Sequence, residues 1–235
     1  MAAEQLRLVV CADAEAAAVR GAEIIADALR SGIDARGRAS LALSGGSTPQ
    51  RMLERLAEQD LQWQHIHVFQ VDERVAPQGH SDRNAVSLSR AFARRIASHP
   101  EQFHWMPVEA VNLASAADQY AALLADIVGP GSKLDAVHLG MGGDGHTASL
   151  FPGSPLLDEK ARAVAVAPPH QGRERMTLTF PVINHARSIL WLVTGADKRG
   201  VLAQLLSGDA ALVASRVRRD VAVVVADVEA AVTTR

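Results

Sequence analysis

The sequence predicts an α/β fold in which helices cover both faces of a mostly parallel sheet. Three observations support this prediction: apolar strand-like runs alternate with helix-like stretches, several of those runs are apolar throughout, and 48% of the 235 residues are hydrophobic. Continuous apolar sequence is typical of strands that are buried on both faces, as in parallel sheets between helices. We expect one domain spanning residues 1–235, because a single α/β domain of this length is common and no repeat or linker interrupts the chain.

Strands and helices are predicted in alternation from the amino terminus. The helices are recognised by apolar residues that recur on one helical face, and Asp13 and Asp197 are predicted to cap the first and the last of them. The predicted strands are residues 6–11, 40–44, 66–71, 134–139, 163–167, 175–180, 188–193 and 221–226. The apolar helix positions are Ala18, Ala22, Ile25 and Leu29; Met52, Leu53 and Leu56; Leu88, Phe92 and Ile96; Tyr120, Leu123, Leu124 and Ile127; and Val201, Leu202 and Leu205.

The composition argues against several classes of protein. Lys and Arg total 24 and Asp and Glu total 26, so the chain lacks the basic field of a nucleic-acid-binding protein. No uninterrupted apolar run is long enough to span a bilayer, and the first residues lack the pattern of a signal peptide. The single cysteine, Cys11, excludes an intramolecular disulfide. We expect a cytoplasmic monomer or homodimer that binds neither nucleic acid nor membranes.

The first motif, SGGSTP at residues 44–49, lies between a predicted strand and a predicted helix. Its glycines permit a tight turn, Thr48 is a predicted N-cap, and Pro49 suits a first helical turn. A helix N-terminus flanked by hydroxyl groups favours an anion such as phosphate, although a purely structural turn is the alternative. The Gly-Lys-Ser/Thr ending of an NTPase loop is missing. The predicted anion-binding residues are Ser44, Gly45, Gly46, Ser47 and Thr48.

A second glycine-rich turn, GMGGDGHTASLFPG at residues 140–153, follows another predicted strand. It contains the spacing of a dinucleotide-binding loop, but Pro152 and Gly153 break the next helix too early and no acidic residue ends the next strand. What remains is a turn that presents Asp144 and His146 together. Histidine can act as a general base near neutral pH, and a neighbouring carboxylate can orient its ring. The alternative is a helix-capping aspartate beside a packed histidine.

Charged residues follow several predicted strands. Asp72, Glu73 and Arg74 occur in succession, and two carboxylates with an arginine can orient sugar hydroxyls and pair with phosphate. A solvated charged loop is the alternative for this run. A lysine at the start of the last helix opposes the helix dipole, which suggests that it serves a bound phosphate. The further candidate cations are Arg83, Arg173, Arg175 and Lys198.

Taken together, these motifs resemble the 6-phosphogluconolactonase family, within the wider group that includes glucosamine-6-phosphate deaminase. The GDGHTASLFPG segment is highly specific, whereas SGGSTP fits the whole group. The resemblance implies a modified Rossmann-like α/β fold. It also implies a metal-free and cofactor-free enzyme that hydrolyses 6-phosphoglucono-1,5-lactone to 6-phosphogluconate in the oxidative pentose phosphate pathway. The matching segments are residues 44–49, 71–77, 81–84, 140–153, 175–179 and 194–198.

Two positions depart from the deaminase pattern. The resemblance implies that a deaminase usually has tyrosine where this chain has Arg74, and a catalytic glutamate where it has Phe151. Phenylalanine cannot transfer protons, so deamination by this route would lack its catalytic glutamate. An isomerase or deaminase of the same group and a non-catalytic sugar-phosphate sensor are the alternatives. The implied catalytic residues are His146 and Asp144, and the implied substrate contacts are Ser44, Gly45, Gly46, Ser47, Thr48, Asp72, Arg74, Arg83, Arg175 and Lys198.

Overall fold

The structure is a computed structural model that describes residues 6–129 and 131–231. Its strands are β1 (Arg7–Cys11), β2 (Ala39–Leu43), β3 (Ile66–Gln70), β4 (Asp72–Arg74), β5 (Phe103–His104), β6 (Ala136–Leu139), β7 (Val164–His170), β8 (Arg173–Leu178), β9 (Ile189–Val193) and β10 (Ala222–Asp227). Its helices are α1 (Ala14–Arg36), α2 (Gln50–Glu58), α3 (Asn84–Ala91), α4 (Ala93–Ser98), α5 (Leu113–Val128), α6 (Phe180–His185) and α7 (Arg199–Ser207).

Seven strands form a central sheet in the order β1-β10-β9-β6-β2-β3-β5. Every neighbouring pair in this sheet is parallel. All residues of β2, β6 and β9 are buried, as their predominantly apolar sequence predicts. The predicted α/β fold class is confirmed, and each of the eight predicted strands is present with shifted ends.

A second sheet of three strands, in the order β4-β8-β7, is antiparallel. The sequence predicted β7 and β8 as strands, but it predicted neither this separate sheet nor the short β4. Gln171 and Gly172, with φ of 52° and 77°, form a tight turn that folds β8 back onto β7. Val71 joins the two sheets, because its N–H donates to Leu43 in β2 while its carbonyl accepts from Leu178 in β8.

Helices cover both faces of the central sheet. Along β2, Leu41 and Leu43 belong to the core cluster beneath α1 and α2, whereas Ala42 belongs to the cluster beneath α5 and α7. This alternation follows from the two-residue repeat of a strand, and it explains why a parallel strand between two helical layers is apolar throughout. Within the described residues, no helix combines the length and apolar character needed to cross a bilayer.

One of the three predicted helix caps is confirmed. The Asp13 Oδ1 accepts a hydrogen bond from the Ala16 N–H at 2.8 Å and caps α1. The caps predicted at Thr48 and Asp197 are wrong, because a turn precedes each helix and delays its start. The residues immediately before α2 and α7 are therefore Pro49 and Lys198, and neither side chain makes a capping hydrogen bond.

Candidate active site

A cleft of about 240 Å³ opens at the carboxyl ends of β2, β6 and β9. In an open parallel sheet this edge is the usual place for a ligand, because the loops that leave the strands converge there. All but two of the predicted site residues line the cleft, and the exceptions are Asp144 and Arg83. The predicted residues in its wall are Ser44, Gly45, Gly46, Ser47, Thr48, Asp72, Arg74, His146, Arg175 and Lys198.

The loop of residues 44–49 forms one wall and leads into α2. The Ser44 Oγ donates to the carbonyl of His138 at 3.1 Å, which ties the loop to β6. A Cβ atom at Gly45 would lie 2.7 Å from the Asn84 side chain, so only glycine allows this close approach. Ser47 and Thr48 are exposed at the mouth of the cleft. Their hydroxyl groups lie beside the N-terminus of α2, where backbone N–H groups attract an anion.

The glycine-rich turn holds His146 and Asp144 in contact on the opposite side. The His146 Nδ1 lies 2.5 Å from the Asp144 Oδ1, and the His146 backbone N–H donates to the same oxygen at 3.2 Å. A Cβ atom at Gly142 would lie 2.2 Å from the His146 Nδ1. His146 and Asp144 can therefore make this contact only because residue 142 is a glycine. His146 lines the cleft, whereas Asp144 contacts the His146 ring without lining the cleft.

The Asp144 carboxylate selects the tautomer of His146. Burial alone would raise the pKa of Asp144, but the hydrogen bonds from His146 outweigh burial and lower that pKa below its ordinary value. An ionised carboxylate can only accept hydrogen bonds, so the proton of a neutral His146 lies on Nδ1. The lone pair of Nε2 is then free. Such an imidazole can remove a proton from water, and Asp144 stabilises the imidazolium that results.

An aromatic group supports the imidazole. The centroid of the Phe151 ring lies 4.6 Å from that of His146, and His170 stacks on Phe151 at 3.8 Å with an interplanar angle of 9°. The Arg175 guanidinium lies 5.2 Å from the centroid of the Phe151 ring. Phe151 therefore supplies packing beside His146 and no titratable group.

Asp72 lies buried in the wall of the cleft. Its carboxylate accepts from the Ser149 Oγ at 2.6 Å and from the Asn84 Nδ2 at 3.1 Å. Burial raises the pKa of Asp72 above its ordinary value, although Ser149, Arg175 and Arg74 act in the opposite direction. A buried carboxylate with these partners can accept a hydrogen bond from a sugar hydroxyl.

Glu73 does not face the cleft, contrary to the role considered for it with Asp72. Its side chain is fully buried and accepts hydrogen bonds from the backbone N–H groups of Arg74, Asn84 and Ala85 at 2.7–2.8 Å. It thereby satisfies free N–H groups at the start of α3. Successive side chains of a strand point to opposite faces, so Asp72 and Glu73 point in opposite directions.

Arg83 also lies outside the cleft, so its predicted substrate contact is not supported. The Arg83 Nε lies 3.2 Å from the Glu73 Oε2, and its Nη1 donates to the Ala76 carbonyl at 2.8 Å. The side chain is only 7% exposed. The buried carboxylate of Glu73 needs a cation, and Arg83 supplies it.

Three cations remain at the cleft. The Lys198 Nζ donates to the Met141 carbonyl at 3.2 Å, and the Arg74 Nη1 donates to the Asp82 carbonyl at 2.7 Å. Arg175 is buried, and within the described residues its Nε has no hydrogen-bond partner. Among the described residues, these cations outnumber the one carboxylate that lines the cleft, so the cleft attracts an anionic ligand.

Sequence reasoning missed His138 and Asn84, which also line the cleft. His138 lies in the middle of β6 and is 1% exposed, and among the described residues its Nδ1 has no hydrogen-bond partner. Burial lowers the pKa of His138 to about 4. The only sequence signal was a histidine within an apolar strand, which is also the pattern of an ordinary core residue.

A helix N-terminus flanked by hydroxyl groups and a histidine–carboxylate pair in one cleft are typical of α/β enzymes that act on phosphorylated small molecules. The chain belongs to the glucosamine-6-phosphate isomerase/6-phosphogluconolactonase family, whose model matches residues 12–225. A 6-phosphogluconolactonase of Nostoc sp. is 39% identical over 205 residues, which cover 86% of this chain and 85% of that protein.

Solved structures agree in fold. The 6-phosphogluconolactonase from Trypanosoma cruzi superposes with a TM-score of 0.86 at 28% identity, over 99% of this chain and 98% of that one. A monomeric glucosamine-6-phosphate deaminase superposes with a TM-score of 0.82 at 20% identity, over 96% and 98% of the chains. The second comparison shows the shared fold alone.

Replacing Glu73 by glutamine tests its structural role. Glu73→Gln removes the buried countercharge of Arg83 and leaves only the exposed Glu109, and we expect the free energy of unfolding to fall by about 3–5 kcal/mol. Glu109→Gln is the matched control, because Glu109 is exposed and pairs with Arg83 at 3.6 Å. Urea denaturation of both variants measures the difference. If the free energy of unfolding fell equally little in both variants, the structural role of Glu73 would be contradicted.

The buried His138 predicts a pH dependence of stability. Its pKa of about 4 lies below the value of about 6.5 in an unfolded chain, so the unfolded state binds more protons between these values. The stability contributed by neutral His138 is therefore complete above about pH 6.5 and is lost as the pH falls towards 4. We expect His138→Leu to flatten this dependence by about 1.4 kcal/mol per pH unit. Urea denaturation at several pH values measures it, and unchanged slopes would contradict the buried neutral histidine.

Proposed function

We propose that the chain hydrolyses 6-phospho-D-glucono-1,5-lactone to 6-phospho-D-gluconate in the oxidative pentose phosphate pathway. The observation that carries this proposal is the pairing of His146 with Asp144, which leaves a free Nε2 in the cleft that also holds the anion-binding loop. Relatives with that activity in their names cover most of the chain.

The phosphate of the substrate positions the lactone. The residue 44–48 loop, Arg74 and Lys198 would hold the phosphate, and the binding energy of this remote group would place the ring carbonyl beside His146. A lactone is an activated ester, so one positioned base and a water molecule can begin its hydrolysis.

Hydrolysis proceeds in two proton transfers. The Nε2 of His146 accepts a proton from water as the water oxygen attacks C1, and Asp144 stabilises the imidazolium. The bond between C1 and the ring oxygen then breaks, and the imidazolium returns its proton to the departing ring oxygen. The products are a free hydroxyl and a carboxylic acid at C1, which releases its proton to solvent and becomes the carboxylate, with the enzyme restored.

The oxyanion that forms at C1 needs hydrogen-bond donors. In the glycine-rich turn, the Gly142 and Gly145 N–H groups are not free for this role, because they already donate to carbonyls within the turn. Arg175 is the donor we propose instead, because its guanidinium lines the cleft near Phe151 and its Nε has no partner among the described residues.

Phe151 argues against deamination as the alternative. An amine-releasing ring opening of the kind that the resemblance implies uses a glutamate at this position, and a phenyl ring cannot replace its proton transfers. The absence of a metal or cofactor, the cytoplasmic location, the lack of nucleic-acid binding and the monomeric or homodimeric state stay predictions from the sequence.

The first experiment measures lactone hydrolysis with and without EDTA. The lactone is generated in situ, 6-phosphogluconate is coupled to its dehydrogenase, and the spontaneous rate is subtracted. We expect acceleration that survives EDTA and a kcat that falls about 10²- to 10⁴-fold in His146→Ala. The control is His65→Ala, because His65 is exposed and lies outside the cleft. A near-wild-type rate in His146→Ala would exclude it as the base, and no acceleration at all would overturn the proposed function.

Lys198→Ala tests the phosphate contact. A lost charge-assisted hydrogen bond predicts a KM for the phosphorylated lactone that rises roughly 10- to 100-fold, with a smaller change in kcat. Lys160→Ala is the matched control, because Lys160 is an exposed lysine outside the cleft. Steady-state kinetics with glucono-1,5-lactone, which has no phosphate, provides the comparison. Equal losses for the two lactones would contradict a phosphate contact.

A further inference from the structure

A second pocket opens at the amino ends of β2, β3, β6 and β9, opposite the cleft. It has a volume of about 540 Å³. We call it the cationic pocket, and we define it by the side chains of Arg36, Arg38, Lys133 and Arg187 around Asp135. Strands of four or five residues separate it from the cleft, which corresponds to about 13–17 Å. The two pockets are therefore distinct.

Asp135 fixes two of the four cations in place. The carboxylate is 5% exposed, and its Oδ1 pairs with the guanidinium groups of Arg36 and Arg187. Its Oδ2 accepts from the backbone N–H of Ser40 at 2.9 Å and from the Ser40 Oγ at 3.1 Å. Both carboxylate oxygens thus already contact groups of the protein. The two arginines are held in place before any ligand binds.

The other two cations have no such partner. Within the described residues, Arg38 and Lys133 form no ion pair, although both line the pocket. Helix C-termini attract cations, and α1 and α5 end beside this pocket at Arg36 and Val128. Each terminus carries only about half a negative charge. Together with Asp135 these termini balance about two of the four cations, so the pocket keeps a positive excess in a chain whose net charge is −2.

We propose that the cationic pocket binds a small anion that carries one or more phosphate groups. Guanidinium groups bind phosphate oxygens in pairs, and two of the arginines are already held in position. The pocket volume lies within the range of small-molecule sites and exceeds that of a single phosphate. His67 and His185 border the same space, and the Nδ1 atoms of their rings already contact the His104 Nε2 and the Gly131 carbonyl.

Titration calorimetry with pyrophosphate tests the proposal. Pyrophosphate would also bind in the cleft. The experiment therefore starts from the Lys198→Ala protein, in which a cation of the cleft has been removed. We expect this protein to bind pyrophosphate, and we expect Arg38→Ala/Lys133→Ala in the same background to bind at least ten-fold more weakly. The matched control is Arg94→Ala/Lys160→Ala, which removes two exposed cations outside the pocket and should leave the affinity within two-fold.

Amide chemical shifts locate the bound anion independently. We expect pyrophosphate to shift the N–H resonances of Gly37 and Gly129, which line the cationic pocket, in the Lys198→Ala protein. Shifts confined to Gly45 and Gly46 in the cleft would overturn the proposal, as would equal weakening by the two double variants or no binding at all. These measurements need no catalytic turnover, so they succeed or fail separately from the lactonase assay.

Discussion

The hydrogen bonds of Ser44 join the two halves of the cleft. Its backbone N–H and its Oγ both donate to the His138 carbonyl, at 3.2 and 3.1 Å, while the Gly140 N–H donates to the same Oγ at 3.4 Å. The anion-binding loop is therefore attached to the strand that carries the glycine-rich turn. In the proposed function this attachment fixes the distance between a phosphate held by the loop and a carbonyl beside His146, and such positioning lowers the barrier of the reaction.

Steric space at two glycines is the second constraint on the site. Gly45 lets the loop approach Asn84, and Gly142 lets the His146 ring reach Asp144. In each case a Cβ atom would occupy the position of a side chain that the site needs. The glycines in both motifs thus have a geometric purpose besides flexibility, and in the second motif this purpose is the contact between His146 and Asp144.

The sequence predicted the central sheet and most of the cleft because both depend on local patterns. Continuous apolar runs identify buried parallel strands, and loops after such strands meet at one edge. The sequence prediction failed where the position of a strand or side chain depends on a partner that is distant in the chain. The β7–β8 hairpin pairs with β4, and Arg83 turns to Glu73, which itself must satisfy the start of α3. It also failed at Thr48 and Asp197, where a preceding turn moves the helix start by one residue.

Parallel topology gives the two edges of the sheet opposite polarity. Loops leaving the carboxyl ends lead into helix N-termini, whose free N–H groups attract anions, whereas helix C-termini arrive at the amino ends and attract cations. At the carboxyl edge this backbone polarity adds to the charge of Arg74 and Lys198, so the fold and the side chains favour the same ligand. At the amino edge the carbonyl groups at the C-termini of α1 and α5 offset part of the cationic charge. The helix dipoles do not account for the positive charge that remains in the cationic pocket.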